Sequence, residues 1–455
     1  MKLFVWYVLF AIALEATALP RSKREIDGSP ESRPNPSRER QMREKERLLK
    51  RWCSKDKPKV VPTDAETAGN AVEGDIMMSL QERQLYDRWR MRPTRPGRLA
   101  ERKATTSELL WPGGIIPYEF NTLDASMVPY VEFAMEEWAE KTCIEFVPYP
   151  APGVNHLGKI SFINGVGCYA YMGFRNQTRP VSLQKVACQS EGVALHEIGH
   201  TIGLMHEHVR HDRDGFVSIN EENIQPGTEG NFVKRDPLAN GAIPFYYDVC
   251  SVMHYNSRAF STNGQPTIVA NHSDYQAIMG KQLGLTHFDH EMVNFMYSCN
   301  AHCNSGLVCS NGGYVGKKCT CVCPSGFTGA TCDDLVNQSV CGGKITVTST
   351  GTVTSPNYPG NYGDNQECHW LLQGPAGSRI SVRFNDFYVE SGGSDCVYDR
   401  FEVRKEVYLD KCLLTYCAGV LQGQSHESFD NTIMLSLYSD FSMSYQGFSA
   451  TYSLI

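Results

Sequence analysis

The chain has 455 residues, with 43 Lys and Arg against 50 Asp and Glu, and 17 cysteines. That length accommodates a catalytic-sized domain plus smaller modules. So many cysteines argue against a reducing compartment, and their odd number leaves at least one without an intramolecular partner. Charge is divided: residues 21–103 carry 22 basic against 14 acidic side chains, whereas residues 104–455 carry 20 against 35. A basic arm on a secreted chain excludes a nucleic-acid tail in favour of a segment electrostatically matched to the acidic remainder.

Residues 1–18 pair one basic residue, Lys2, with an apolar run and a small-residue site ending at Ala18, which reads as a secretory signal peptide. Residues 19–103 are polar and charged with no apolar face wide enough for a core, and "RPGRLAERK" offers a processing protease a site at Arg102-Lys103. This stretch is read as a propeptide. No later run is long and apolar enough to cross a membrane.

"WPGGIIPYEF" then predicts a turn and a strand, and "MVPYVEFAMEEWAEKT" an amphipathic helix burying Val131, Ala134 and Trp138. "CIEFVPY", "GKISFING" and "GCYAYMGF" alternate as strands. "EGVALHEIGHTIG" reads as a helix capped by Ser190, followed by a loop-rich region to "MYSCN". Strands before and helices after this segment predict an α+β domain over residues 104–300. Six cysteines from Cys303 to Cys332 mark a module, residues 301–333, too small for a core without disulfide staples. Residues 341–455 alternate through "KITVTST", "HWLLQG", "RISVRF", "YDRFEV", "TIMLSLYSD" and "GFSATYSLI", predicting an all-β antiparallel sandwich. Asn176, Asn271 and Asn337 open glycosylation sequons.

The chemistry concentrates in "HEIGHTIGLMHEHVRH". His196 and His200, four apart, present two imidazoles on one helix face, as a shared metal requires. Glu197 can reach metal-bound water. His206 lies six residues past His200, roughly 9 Å along an unbroken helix, so the chain must turn between them. Gly203 permits that turn. His208 and His211 are read as surface groups or as neighbours of the ligands.

The pattern HExxHxxGxxHE, followed by "HVRHDRDGFVSI" and "SVMHY", resembles the astacin family of metzincin metalloendopeptidases over residues 104 to about 300. The resemblance implies one zinc ion on His196, His200 and His206, with Glu197 as general base. It implies that Met253 lies in a Met-turn beneath the metal and that Tyr255 is a resting ligand that swings to the tetrahedral intermediate. Glu207 would receive the new N-terminal ammonium, and Cys143–Cys299 and Cys168–Cys188 would pair. "AVEGDIMM" looks like the family's latency switch, with Asp75 on zinc in the zymogen, although Val72 stands where an aromatic is usual.

The six-cysteine module resembles an EGF-like domain with crowded Cys319, Cys321 and Cys323; within it Cys323–Cys332 is the pairing assigned. The last segment, with "SPNYPGNY" and "GFSATY", resembles a CUB domain, implying Cys341–Cys368 and Cys396–Cys417 and calcium on Glu390, Asp399 and Asp440. The layout is similar to that of nematode astacins. Cys53, Cys250 and Cys412 are left over, and a Cys250–Cys412 bond joining the last domain to the first is one arrangement open to them. These readings make the chain a secreted zymogen of a metalloendopeptidase acting on extracellular proteins, with EGF-like and CUB modules available for protein partners. The rival is an inert secreted adhesion protein with a peptidase-like domain; the retained Glu197 argues against it. A metal-storage role explains neither Glu197 nor "SVMHY".

Overall fold

A computed structural model describes residues 71–79, 109–235, 245–304, 306–393 and 396–455. The expected signal peptide, Cys53, most of the expected propeptide and the expected cleavage site at Arg102-Lys103 lie outside the described residues. All described residues fall within one compact unit, residues 60–455.

Two short strands of the segment read as a propeptide, β1 (Ala71–Val72) and β2 (Ile76–Met77), join the sheet of the first domain. They are followed by β3 (Ile115–Phe120), helix α1 (Val128–Lys141), β4 (Glu145–Pro148), β5 (Lys159–Ile163), β6 (Cys168–Tyr171), β7 (Thr178–Leu183) and helix α2 (Glu191–Ile202). The seven-stranded order is β1-β2-β6-β7-β5-β3-β4. Ile76 and Met77 lie parallel to Ala170 and Tyr171, so β2 occupies the edge that β6 would otherwise present. Val131, Ala134 and Trp138 face inward from α1, and the Trp138 indole N–H donates to Leu195 O at 3.0 Å, fixing α1 against α2. Strand β7 escaped the sequence reading because Pro180 interrupts its alternation.

Beyond α2 the chain is loop-rich, as read from the sequence: it runs through 3-10 turns and the two-stranded ribbon of β8 (Val217–Ile219) and β9 (Ile268–Ala270). Where helices were expected after the histidine segment, the described residues up to Cys299 hold one α-helix, α3 (His287–Met296). Backbone groups here are satisfied by turns and by side chains, among them the Thr286–Asp289 capping box of α3.

The cysteine-rich module holds β10 (Tyr314–Val315), β11 (Cys321–Val322), β12 (Phe327–Thr328) and β13 (Asp334–Leu335). Cys303–Cys319, Cys309–Cys321 and Cys323–Cys332 staple it.

The last domain contains β14 (Gly342–Thr346), β15 (Gly351–Thr354), β16 (Glu367–Gln373), β17 (Ile380–Tyr388), β18 (Arg400–Arg404), β19 (Leu414–Tyr416), β20 (Ser425–Glu427), β21 (Thr432–Tyr438) and β22 (Gly447–Leu454). They form sheets of order β14-β16-β21-β18-β19 and β15-β22-β17-β20. The expected antiparallel sandwich needs one correction: β14 pairs parallel to β16. A parallel pair needs a long crossover, and here the chain makes it through β15, which lies in the other sheet. Phe384, Phe387, Phe401 and Phe448 fill the space between the sheets.

Candidate active site

Helix α2 carries the first two histidines. Ser190 occupies its N-cap position, but its side chain makes no capping hydrogen bond; the helix is set instead by packing, with ten of its twelve residues buried. It ends at Gly203, in the left-handed region at φ 117°, whose N–H returns to Gly199 O at 3.1 Å. The reversal brings His206 back beside His196 and His200. Gly199 serves the site too: a Cβ there would lie 2.6 Å from Met253 Sδ, so a side chain at this position would have to displace Met253 from its seat against α2.

Each histidine is oriented through Nδ1. His196 Nδ1 donates to Val252 O (2.7 Å), His200 Nδ1 to Leu204 O (2.8 Å) and His206 Nδ1 to Glu73 Oε2 (2.9 Å). The three Nε2 atoms therefore turn inward, with His196 Nε2 3.2 Å from that of His206 and 3.1 Å from that of His200. Asp75 Oδ2 lies 3.1 Å from His196 Nε2 and 3.2 Å from His206 Nε2. Lone pairs facing one another and a carboxylate repel unless a cation joins them. Bonds of 2.0–2.1 Å to a tetrahedral zinc give ligand–ligand edges of about 3.3 Å, so the observed spacings fit one. Burial, which outweighs the Asp75 charge, pushes His200 down to about 4, leaving the neutral imidazole that ligates metals.

Glu197, next to His196 on α2, is buried. Tyr255 stacks on His208 with centroids 3.9 Å apart, and its ring lies 4.5 Å from that of His206. Its hydroxyl donates to the backbone carbonyl of Glu73. Met253 is buried beneath the cluster. Glu207 is displaced up to about 7 by burial, with Asp289 and Asp212 adding to the effect and Arg210 opposing it. Its Oε1 accepts from Arg210 Nη1 (2.8 Å) and Asp248 N (3.0 Å), while residues 104–108, which would supply a new N-terminus, lie outside the described residues.

Over residues 103–298 the chain matches the family model for the astacin peptidases, and over 341–452 that of the CUB domain. The zinc metalloproteinase dpy-31 of Haemonchus contortus is 34% identical over 403 residues, covering 85% of this chain and 71% of that protein. The chain belongs to the astacin family. Protein SpAN of Strongylocentrotus purpuratus is 36% identical over 409 residues, 88% of this chain and 65% of that protein. The chain thus spans slightly less than two thirds of the length of that protein. A hatching-enzyme zinc-protease from medaka, Oryzias latipes, has a solved structure 32% identical, covering 42% of this chain and 96% of that one at a TM-score of 0.39.

This astacin's structure gathers His196, His200, His206 and Asp75 into one cluster whose ligand atoms all lie within 4.8 Å, and Glu390, Asp399 and Asp440 into a second of the same span. One residue of the first site, Glu73, was not singled out by sequence. Glu73 is buried and bonded both to His206 and to Arg235 Nε at 3.0 Å; Arg235 and His206 hold its carboxyl below the usual range against the opposing effect of burial. Its signal was a second carboxylate two positions before Asp75 in a basic segment. Of the two places the sequence left open for His208, the structure gives the one beside the ligands: it is fully buried against Tyr255, with Nε2 donating to Asn231 O at 3.0 Å. His211 remains half-buried and outside the cluster.

Cys143–Cys299, Cys168–Cys188, Cys341–Cys368 and Cys396–Cys417 are bonded, and so is Cys250–Cys412. The asparagines of all three sequons are exposed.

Proposed function

We propose that this astacin is a secreted zinc metalloendopeptidase, held latent by its propeptide, that hydrolyses internal bonds of extracellular proteins. The observation that carries the reading is the convergence of three Nε2 atoms, each oriented through its Nδ1, beside the Asp75 carboxylate. His196, His200 and His206 would hold zinc, which when bound acidifies water and polarises a carbonyl. Glu197 takes the proton from the attacking water and returns it to the leaving amine. Tyr255, freed from the Glu73 carbonyl, donates to the oxygen on which charge develops. The propeptide excludes substrate in two ways, with Asp75 among the histidines and β2 along the sheet edge where an extended peptide would pair. Cleavage at Arg102-Lys103 would end both, and Glu207 would then anchor the new terminus.

The stapled module is read as EGF-like. Glu390, Asp399 and Asp440 are a calcium site of the CUB sandwich on this reading, and Asn176, Asn271 and Asn337 carry glycans. Both modules would serve protein partners.

Replacing Glu197 by Ala tests the mechanism. The activated variant should retain zinc and lose about 10²–10⁴-fold of its activity on a protein substrate. Full activity in the variant, or chelator-resistant cleavage by the wild type, refutes it.

A further inference from the structure

The loop between β18 and β19 leaves the CUB sandwich and enters the peptidase domain. Leu409 and Cys412 are buried in one cluster with Val249, Tyr275, Met279 and Phe288. Around them Lys405 Nζ reaches Asp274 Oδ2 at 2.5 Å, and the rings of Phe429 and His272 stack at 3.8 Å. A domain held on a swinging tether would not share a core with its neighbour.

Two connections run from this loop to the histidines. Cys412 is bonded to Cys250, two residues before Val252, whose carbonyl orients His196. Asp410 Oδ1 accepts from His287 N (2.9 Å) at the first residue of α3. In the same helical turn Asp289 accepts from Ser251 Oγ (2.6 Å) and Val252 N (3.1 Å). One connection therefore ends two residues before Val252 and the other at its peptide N–H.

We infer that the CUB domain is a working part of the peptidase: Asp410 and Cys412 are positioning residues that hold the 250–255 turn and, through Val252 O, aim the His196 ring. A carbonyl that drifts lets Nδ1 and the ring rotate, and a misplacement of about 1 Å in such a site costs on the order of a hundredfold in rate. The inference rests on the zinc-peptidase reading for its kinetic consequence, but the restraint on the turn can be read without metal.

The test uses the full chain, activated, with three variants: Asp410→Ala, Asp410→Asn, whose side-chain carbonyl still accepts from His287 N, and the double variant Cys250→Ser with Cys412→Ser. Asp410→Ala and the double variant should lower kcat on a short uncharged peptide by about ten- to a hundredfold with KM within about twofold. They should alter the visible spectrum of the cobalt-substituted protein and speed metal loss to a chelator, while Asp410→Asn stays near wild type. Metal-free chain gives an independent reading: amide hydrogen exchange at Val252 and His254 should quicken in Asp410→Ala but not in Asp410→Asn. Unchanged kcat, spectrum and exchange in Asp410→Ala would overturn the inference even if the double variant fails to fold. A wild-type chain that neither binds metal nor cleaves would sink the peptidase reading instead, and the exchange data would still decide the restraint.

Discussion

Glu73 Oε2 accepts a hydrogen bond from His206 Nδ1 at 2.9 Å, on the side of the ring away from Asp75. The 73–75 segment thus grips one imidazole from both sides, Glu73 orienting it and Asp75 facing its Nε2 at 3.2 Å. The tight turn that makes this feasible places Glu73 at φ 53° and Gly74 at φ 85°. A non-glycine residue in that region is strained, by roughly 1–2 kcal/mol, so the contacts it secures must exceed that cost.

Latency should therefore depend on two carboxylates. Glu73→Gln removes the charge that faces Arg235 and His206, and breaking a buried pair from one side costs about 3–5 kcal/mol. The uncleaved variant should show a rise in chelator-sensitive peptidase activity of about a hundredfold or more over uncleaved wild type, and Asp75→Asn a larger one. A Glu73→Gln zymogen as silent as wild type would leave latency to Asp75 alone.

Removing the Tyr255 hydroxyl should act on the transition state. Tyr255→Phe keeps the ring stacked on His208 and loses only the donor, so kcat should fall about 10²-fold with little change in KM. Steady-state kinetics on the activated chain decide it; a rise in KM at constant kcat would assign Tyr255 to substrate binding.

Gly199→Ala tests the contact between α2 and the turn below it. The added methyl meets Met253 Sδ at 2.6 Å and the Trp138 ring at 3.4 Å, so overpacking should destabilise the domain by about 1–3 kcal/mol. Thermal or denaturant unfolding reads this directly. A melting point equal to wild type would show that Met253 can retreat freely.

Acid should weaken the α1–α3 interface through His290. Burial, with Lys141 adding to it, pushes its imidazole from 6.5 down to about 3, and the backbone carbonyls of Glu137 and Thr286 only partly oppose this. Between those values the unfolded chain binds a proton that the folded one refuses. The contribution is therefore intact above about pH 6.5 and falls as pH falls, by up to about 1.4 kcal/mol per unit. His290→Gln should flatten the stability profile between pH 6.5 and 4 in urea titrations; an unchanged slope would assign acid sensitivity elsewhere.

Calcium should stabilise the CUB domain. Asp399 is held by Tyr362 OH and by Asp440 N, both at 2.6 Å, which fixes it among Glu390 and Asp440. Millimolar calcium should raise the melting temperature of the wild type by several degrees and leave Asp399→Asn unmoved. Equal shifts in both proteins would place the effect at another site.

Local spacing settled much of this molecule in advance. The i, i+4 histidines, the glycine that ends their helix and the alternating strands of the last domain follow from the 3.6- and 2-residue periods of the backbone. They need no knowledge of distant residues. Tertiary structure decided what meets those elements. Glu73 reaches His206 across 133 positions, Cys412 reaches Cys250 across 162, and Asp410 reaches His287 across 123. His208 follows the same rule: the sequence left it either at the surface or beside the ligands, and Tyr255 and Phe232, from elsewhere in the chain, cover it. Periodicity reports which face of an element is apolar, but the partner of a buried polar group is chosen by which segments the folded core brings within about 3 Å.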